Sequence, residues 1–205
     1  MFDFGGVIIT SIANQVAKIA ADHDVDAAVV HEILLGPRAS GPDHPWHRAE
    51  RGEIAVADIQ PGLGRWAKPH GVTLRGDEIE RLLTPGEYVV VDAMVERIQL
   101  LRSQGIATGL LTNTFAEFRP TMQRDIDFVL FDAVIESFAV GARKPETAIY
   151  QAAMDALDVD PTAIVYLDDF DQNLEPAHAL GWTTIHVTDP VAALAQLDAL
   201  LRYDE

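Results

Sequence analysis

From about residue 106 onward the chain alternates short apolar runs with helical stretches, and few folds accommodate that rhythm. Residues 106–112 (IATGLLT), 133–137 (AVIES), 163–167 (AIVYL) and 184–187 (TIHV) are continuous runs of strand length, rich in β-branched residues. Such runs suit strands covered on both faces. Between them, residues 116–124, 146–157 and 173–180 carry apolar side chains at helical spacing. Gly105 and Gly181 stand where helix C-terminal caps belong, each just before a strand. The order βαβαβ with short connections predicts an α/β fold, a doubly wound parallel sheet with helices on both sides.

Residues 11–91 follow a different pattern. Ile12, Val16, Ile19 and Ala20 sit at helical spacing, as do Val29, Val30, Ile33 and Leu34. Gly36-Pro37 and Gly41-Pro42-Asp43 read as a loop, and residues 53–68 and 77–83 again as helical. The expected organisation is a core of residues 1–10 and 92–205, with a helical unit of residues 11–91 inserted after the first strand. Leu194, Leu197, Leu200 and Leu201 form a C-terminal apolar stripe, expected to pack on the core.

Composition narrows the function. The 205 residues carry 32 Asp and Glu against 15 Lys and Arg, a formal charge of −17. Nucleic acids and anionic lipids are bound through Lys and Arg, so neither is an expected partner. The absence of Cys removes disulfides, thiolate catalysis and Cys-ligated zinc. No apolar stretch approaches the roughly 18 residues of a membrane span, and no basic region precedes an apolar run at the start. The expectation is a soluble, cytoplasmic protein with no membrane contact.

In a doubly wound sheet, ligands sit beyond the carboxyl ends of the strands. Asp3 follows Met1-Phe2, Thr112-Asn113 follow Gly109-Leu110-Leu111, and Asp168-Asp169 follow residues 164–167. A loop after the third strand, Gly141-Ala142-Arg143-Lys144-Pro145, holds the only Lys beyond residue 68. Clustered carboxylates call for a cation, and hard oxygen ligands suit Mg²⁺. A metal held by Asp3 and Asp169 could shield a phosphate dianion while Asp3 attacks phosphorus. Lys144, the Thr112 hydroxyl and backbone donors near Asn113 would then hold the phosphoryl oxygens.

These segments resemble the four motifs of the haloacid dehalogenase (HAD) superfamily of hydrolases. The first is Phe2-Asp3-Phe4-Gly5-Gly6-Val7-Ile8 and the second Leu110-Leu111-Thr112-Asn113. The third is the Lys144 loop with Ile149-Tyr150, and the fourth Val165-Tyr166-Leu167-Asp168-Asp169 with Asn173 and Ala179-Leu180-Gly181-Trp182. The segment Trp46-His47-Arg48-Ala49-Glu50-Arg51-Gly52-Glu53-Ile54 is similar to the small helical cap of the subgroup containing the phosphatase domain of bifunctional epoxide hydrolases. The resemblance implies a Rossmann-like core and a Mg²⁺-dependent phosphatase acting on a small phosphorylated substrate. It makes Asp3 the nucleophile and a metal ligand, Asp169 a second ligand, and Gly5 a ligand through its carbonyl. It gives Thr112, Asn113 and Lys144 the phosphoryl group, and sets Asp168 and Asn173 to orient the metal shell and Lys144. Trp46, His47, Arg48 and Arg51 are candidate substrate contacts from the cap.

Two features depart from that pattern. Typical phosphatases of the superfamily carry an acid–base Asp two positions after the nucleophile, where this chain has Gly5. Turnover is therefore expected to be slow, with a water or His47 as substitutes for the missing acid. The alternatives are a non-catalytic or weakly active phosphate-binding or regulatory protein, and a 2-haloacid dehalogenase. The second departure is length: only Met1 and Phe2 precede Asp3, whereas a strand usually runs about five residues. Either the first strand is truncated or its true start lies upstream.

Overall fold

The computed structural model describes residues 1–37, 44–84 and 88–202; the loop expected at Gly41-Pro42-Asp43 lies outside them. Four strands form two parallel pairs: β1 (Gly109–Thr112) with β2 (Ala133–Glu136), and β3 (Val165–Asp168) with β4 (Thr183–His186). The segment Met1–Asp3 lies between the pairs. Phe2 bridges in parallel to both Leu110 and Leu167. Its N–H donates to the Gly109 carbonyl at 2.8 Å, and the Asp3 N–H donates to the Leu167 carbonyl at 2.9 Å. The spatial order is therefore β2, β1, Met1–Asp3, β3, β4. Hydrogen bonds on both sides fix this central row.

Side chains on successive strand residues point to opposite faces. Leu110 and Leu167 enter one apolar cluster with Met94 and Ile98 of α7 (Asp92–Ser103) and Leu194 and Leu197 of α12 (Pro190–Arg202). Leu111 and Tyr166 enter another with Ile149 and Tyr150 of α10 (Thr147–Leu157) and Ala177 of α11 (Asp171–Ala179). Of the C-terminal leucine stripe, Leu201 packs against the first cluster while Leu200 is exposed.

Helices α1 (Ala13–His23), α2 (Ala27–Leu35), α3 (Pro45–Glu50) and α6 (Glu78–Leu82) build a third apolar cluster, whose buried members include Ile19, Ile33, Leu34, Leu63 and Ile79. Two chain crossings tie this helical unit to the sheet. The Thr10 N–H donates to the Val89 carbonyl and the Val91 N–H to the Ile8 carbonyl, at 2.9 and 2.8 Å. Residues 53–68, read as one helix from spacing, are instead broken. They comprise a 3₁₀ turn at Val56–Asp58 and two single turns, α4 (Ile59–Gly62) and α5 (Gly64–Ala67). Pro61, Gly62 and Gly64 account for the breaks, being the poorest helix formers. The helix expected from residue 116 starts at Arg119 as α8 (Arg119–Asp125), with Pro120 in its first turn. Among the described residues no helix is long and apolar enough to cross a membrane.

Ile33 is fully packed at the centre of the helical cluster, whereas Leu200 is exposed. Ile33→Ala should lower the unfolding free energy in a urea titration by about 2–5 kcal/mol. Leu200→Ala should change it by less than about 0.5 kcal/mol.

Candidate active site

The sheet order sets Asp3 between the ends of β1 and β3, with Thr112 on one side and Asp168 on the other. Asp168 is the last residue of β3 rather than the first beyond it. Lys144 approaches from the loop after β2 and is buried between the two carboxylates. Its Nζ lies 2.8 Å from Asp3 Oδ1 and 2.7 Å from Asp168 Oδ2, and also donates to the Leu111 carbonyl at 3.2 Å. Asn113 fixes the lysine's backbone: its Oδ1 accepts from Lys144 N at 2.8 Å and its Nδ2 donates to the Lys144 carbonyl at 3.1 Å. Thr112 Oγ1 makes a long 3.4 Å contact with the Asn113 carbonyl, so little holds the hydroxyl back from an incoming oxygen.

Asp168 accepts hydrogen bonds around its whole carboxylate. Donors are Lys144, the Phe170 N–H at 2.8 Å, Asn173 Nδ2 at 3.0 and 3.1 Å, and the Tyr166 hydroxyl. Asn173 is steadied in turn by the Tyr150 hydroxyl, which donates to its carbonyl at 2.7 Å. Tyr150, Tyr166 and Trp182 pack with ring centroids 5.7–6.4 Å apart beneath these groups.

Asp169 is different. Its Oδ1 is buried without a hydrogen-bond partner among the described residues. Ligand oxygens of Asp3, Asp168 and Asp169 all lie within 4.8 Å of one another. Burial pushes the Asp169 carboxyl up to about 8, with Asp3 and Asp168 adding to the shift. Burial likewise pushes Asp3 up to about 7, against the pull of Lys144 and with the help of Asp168. Burial alone would lower Lys144, but Asp168 and Asp3 outweigh it and hold the ammonium above its ordinary value. Three carboxylates and one ammonium leave an excess of negative charge. An all-oxygen donor set, with one oxygen still unpaired, fits a hard divalent cation such as Mg²⁺. Gly6 makes the approach feasible, because a Cβ there would stand 2.0 Å from Asp169 Oδ2 and the residue has φ +77°.

The cluster forms the polar end of a cleft of about 210 Å³ between sheet and helical unit. Gly5 lines it, and a Cβ built there meets no atom within 4 Å. Trp46 and His47 line it too. Arg48 and Arg51 do not reach it in this way: both turn to Glu53, and Arg51 also pairs with Glu146 at 3.0 Å. Sequence reasoning passed over Gly6, Tyr166, Glu50 and Arg143. The last two line the cleft and pair with each other across it, Arg143 Nε to Glu50 Oε2 at 2.5 Å. Arg143 stands beside Lys144 in the motif, which was the available signal.

Comparisons with known proteins agree with this arrangement. Residues 1–181 match the family described as haloacid dehalogenase-like hydrolase. The chain is 37% identical to bifunctional epoxide hydrolase 2 of Rattus norvegicus over 212 residues, covering 96% of this chain and 37% of that protein's length. It is 28% identical to the sesquiterpene phosphatase astK of Aspergillus oryzae, covering 98% of this chain and 95% of the relative. In fold it is similar to a HAD-family enzyme from Bacteroides thetaiotaomicron solved with magnesium and inorganic phosphate. That likeness has a TM-score of 0.63 at 20% identity, covering 90% of this chain and 91% of the other. The chain belongs to the haloacid dehalogenase-like hydrolases.

Proposed function

We propose that the protein is a Mg²⁺-dependent phosphoric monoester hydrolase, with Asp3 as nucleophile, acting on small phosphorylated substrates with a largely apolar leaving group. The observation that carries this reading is the convergence of Asp3, Asp168 and Asp169 around one ammonium at the end of an apolar cleft. Asp3, Asp169 and the Gly5 carbonyl would hold the cation, which when bound offsets the charge of the phosphate and of the carboxylates around it. Lys144 opposes the upward push of burial on the Asp3 carboxyl and pairs with the phosphoryl oxygens, together with the Thr112 hydroxyl and the Asn113 N–H. Asp168 and Asn173 hold Lys144 in place.

In the first step an Asp3 oxygen bonds to phosphorus while the bond from phosphorus to the leaving oxygen breaks. The leaving oxygen departs as an anion or takes a proton from water, since Gly5 offers no acid. Water then attacks phosphorus of the aspartyl-phosphate, releasing phosphate and restoring the Asp3 carboxylate. The unit of residues 11–91 serves as a cap that excludes bulk water and contacts the leaving group.

The nature of the leaving group follows from the cleft walls. Beyond the carboxylates they present Ile12, Leu35, Leu83, Phe115 and Phe118. Tyr88 and Trp46 beside them already have partners: Tyr88 donates to Asp125, and Trp46 Nε1 to Glu50 at 2.8 Å. A sugar or nucleotide hydroxyl set against this apolar wall would lose its partners, at a cost of about 1–3 kcal/mol each. The name of the sesquiterpene phosphatase relative is consistent with an apolar group. Against a haloacid substrate stands Asp169, a further carboxylate facing the site of a carboxylate ligand.

Purified protein should hydrolyse an aryl phosphate with Mg²⁺ and lose that activity in Asp3→Asn. Alkyl phosphates should be far slower, because their leaving groups need the acid that Gly5 lacks; equal rates would count against this account. The space beside Gly5 admits a side chain, so Gly5→Asp should raise alkyl phosphate turnover by about 10²–10⁴-fold.

The raised carboxyls also set a pH dependence. Asp3 and Asp169 hold protons in the folded chain up to about 7 and about 8, well above unfolded values. Between roughly pH 4 and pH 8 the native state thus binds more protons than the unfolded one, and this contribution to stability falls as pH rises. In a chelator, melting temperature should decline across that window. Mg²⁺ should raise it more at pH 8.5 than at pH 6, as measured by thermal melts, and Asp169→Asn should remove most of that gain.

A further inference from the structure

The seam between the helical unit and the sheet domain carries a compact set of contacts around the loop that bears Lys144. Glu50 and Arg51 close α3, while Arg143 and Glu146 bracket Lys144-Pro145. Glu50 Oε2 pairs with Arg143 Nε, the Arg143 N–H donates to Glu146 Oε2 at 3.2 Å, and Glu146 Oε1 pairs with Arg51 Nη1 at 3.0 Å. Two ion pairs, Glu50–Arg143 and Arg51–Glu146, are thus joined through the Arg143 backbone N–H. Glu50 is buried, and its other oxygen accepts from Trp46 Nε1. Trp46 stands edge-on to Phe115, 4.8 Å between centroids, three residues beyond Thr112. The turn after α3 presses on the sheet domain as well. A Cβ on Gly52, which has φ +70°, would lie 2.8 Å from the Phe138 carbonyl oxygen.

Lys144 does not need this network to stay in place. Asn113 holds its backbone twice, and Asp3, Asp168 and the Leu111 carbonyl hold its ammonium. The loop is a fixed base, so the ion pairs act on whatever is attached at their other end, which is α3. We infer that Glu50, Arg51, Arg143 and Glu146 form a clasp that sets the register of the cap over the phosphate site and thereby decides which leaving groups fit. The four act as positioning residues for specificity. Trp46 and His47, which line the cleft, are carried on the same short helix. A shift of α3 would move the wall that meets the leaving group and leave the groups that hold phosphate where they are. Partial burial of the pairs supports this role, because losing one partner leaves a charge without compensation in the seam.

The kinetic test rests on the phosphatase reading, and a second readout separates the two. Arg51 and Glu146 are the residues to change, because neither lines the cleft. With Mg²⁺, Arg51→Glu should lower kcat/KM for 4-nitrophenyl phosphate by between about tenfold and 10²-fold, the range that misplacement by an ångström produces. Acetyl phosphate, too small to reach the cap, should be hydrolysed nearly as before. Adding Glu146→Arg should restore most of the loss by reversing the pair. Glu146→Gln offers a milder break should Arg51→Glu fold poorly. Hydrogen exchange of residues 44–52 should accelerate in the single variants and return toward the original rate in the double. An equal loss on both substrates, or no loss on either, would overturn the inference. If the unaltered protein hydrolyses neither substrate, the phosphatase reading fails by itself and exchange decides: acceleration with rescue upholds the clasp, and unchanged exchange sinks it.

Discussion

Burying an ammonium group costs several kcal/mol unless carboxylates surround it, and Lys144 meets that condition between Asp3 and Asp168. The partners come from three distant parts of the chain, so the fold must bring together the row at Met1–Asp3, the end of β3 and the loop after β2. A parallel sheet does this directly, because all its strands end at one edge. The Met1–Asp3 row sits at the centre of that edge. Hydrogen bonds from β1 and β3 clamp it on both sides, and the carboxylate at its end is held by Lys144 and by the Phe4 N–H at 2.7 Å.

The same constraint accounts for what is strained about the site. One ammonium compensates two carboxylates at hydrogen-bonding distance, and Asp169 is left over. Its unpaired buried oxygen and its raised carboxyl are two views of one imbalance. Gly6 exists at the cost of a left-handed backbone so that this carboxylate can approach. A structure that only sought stability would replace Asp169 with an amide. Keeping the acid makes sense where a divalent cation and a phosphate share the space. In the proposed reaction the wider charge of −17 would act on rate more than on affinity, since a strongly acidic surface repels an approaching phosphate dianion until salt screens it.

The α/β architecture was legible because its signals are local. Continuous apolar runs at residues 106–112, 133–137 and 163–167 need no knowledge of their neighbours to read as strands. Residues at strand ends were legible for a similar reason: once the sheet is parallel, Asp3, Thr112 and Asp168 must face one edge. What escaped depends on contacts between remote positions. Nothing in the sequence around Glu50 announces a partner at Arg143, and Tyr166 reads as a core aromatic until its hydroxyl is seen on Asp168. Arg48 and Arg51 are held by local partners. Their place in a family-like segment suggested the cleft, but Glu53 is two to five residues away and captures both. Residues 53–68 kept apolar spacing while Pro61, Gly62 and Gly64 removed the helix that spacing implied.

Gly5 gathers these threads. An open space beside the nucleophile, where a side chain could stand without contact, means that packing does not demand glycine there. Neither does backbone conformation, since Gly5 is not among the residues of positive φ. In the proposed reaction the missing acid shifts the burden onto the leaving group, which must be stable as an anion or find its proton in water. An apolar cleft limits that water, so the position of the cap matters twice, for the fit of the leaving group and for access of the proton it needs. The ion pairs at the seam fix that position from the one loop of the site that cannot move without unburying Lys144.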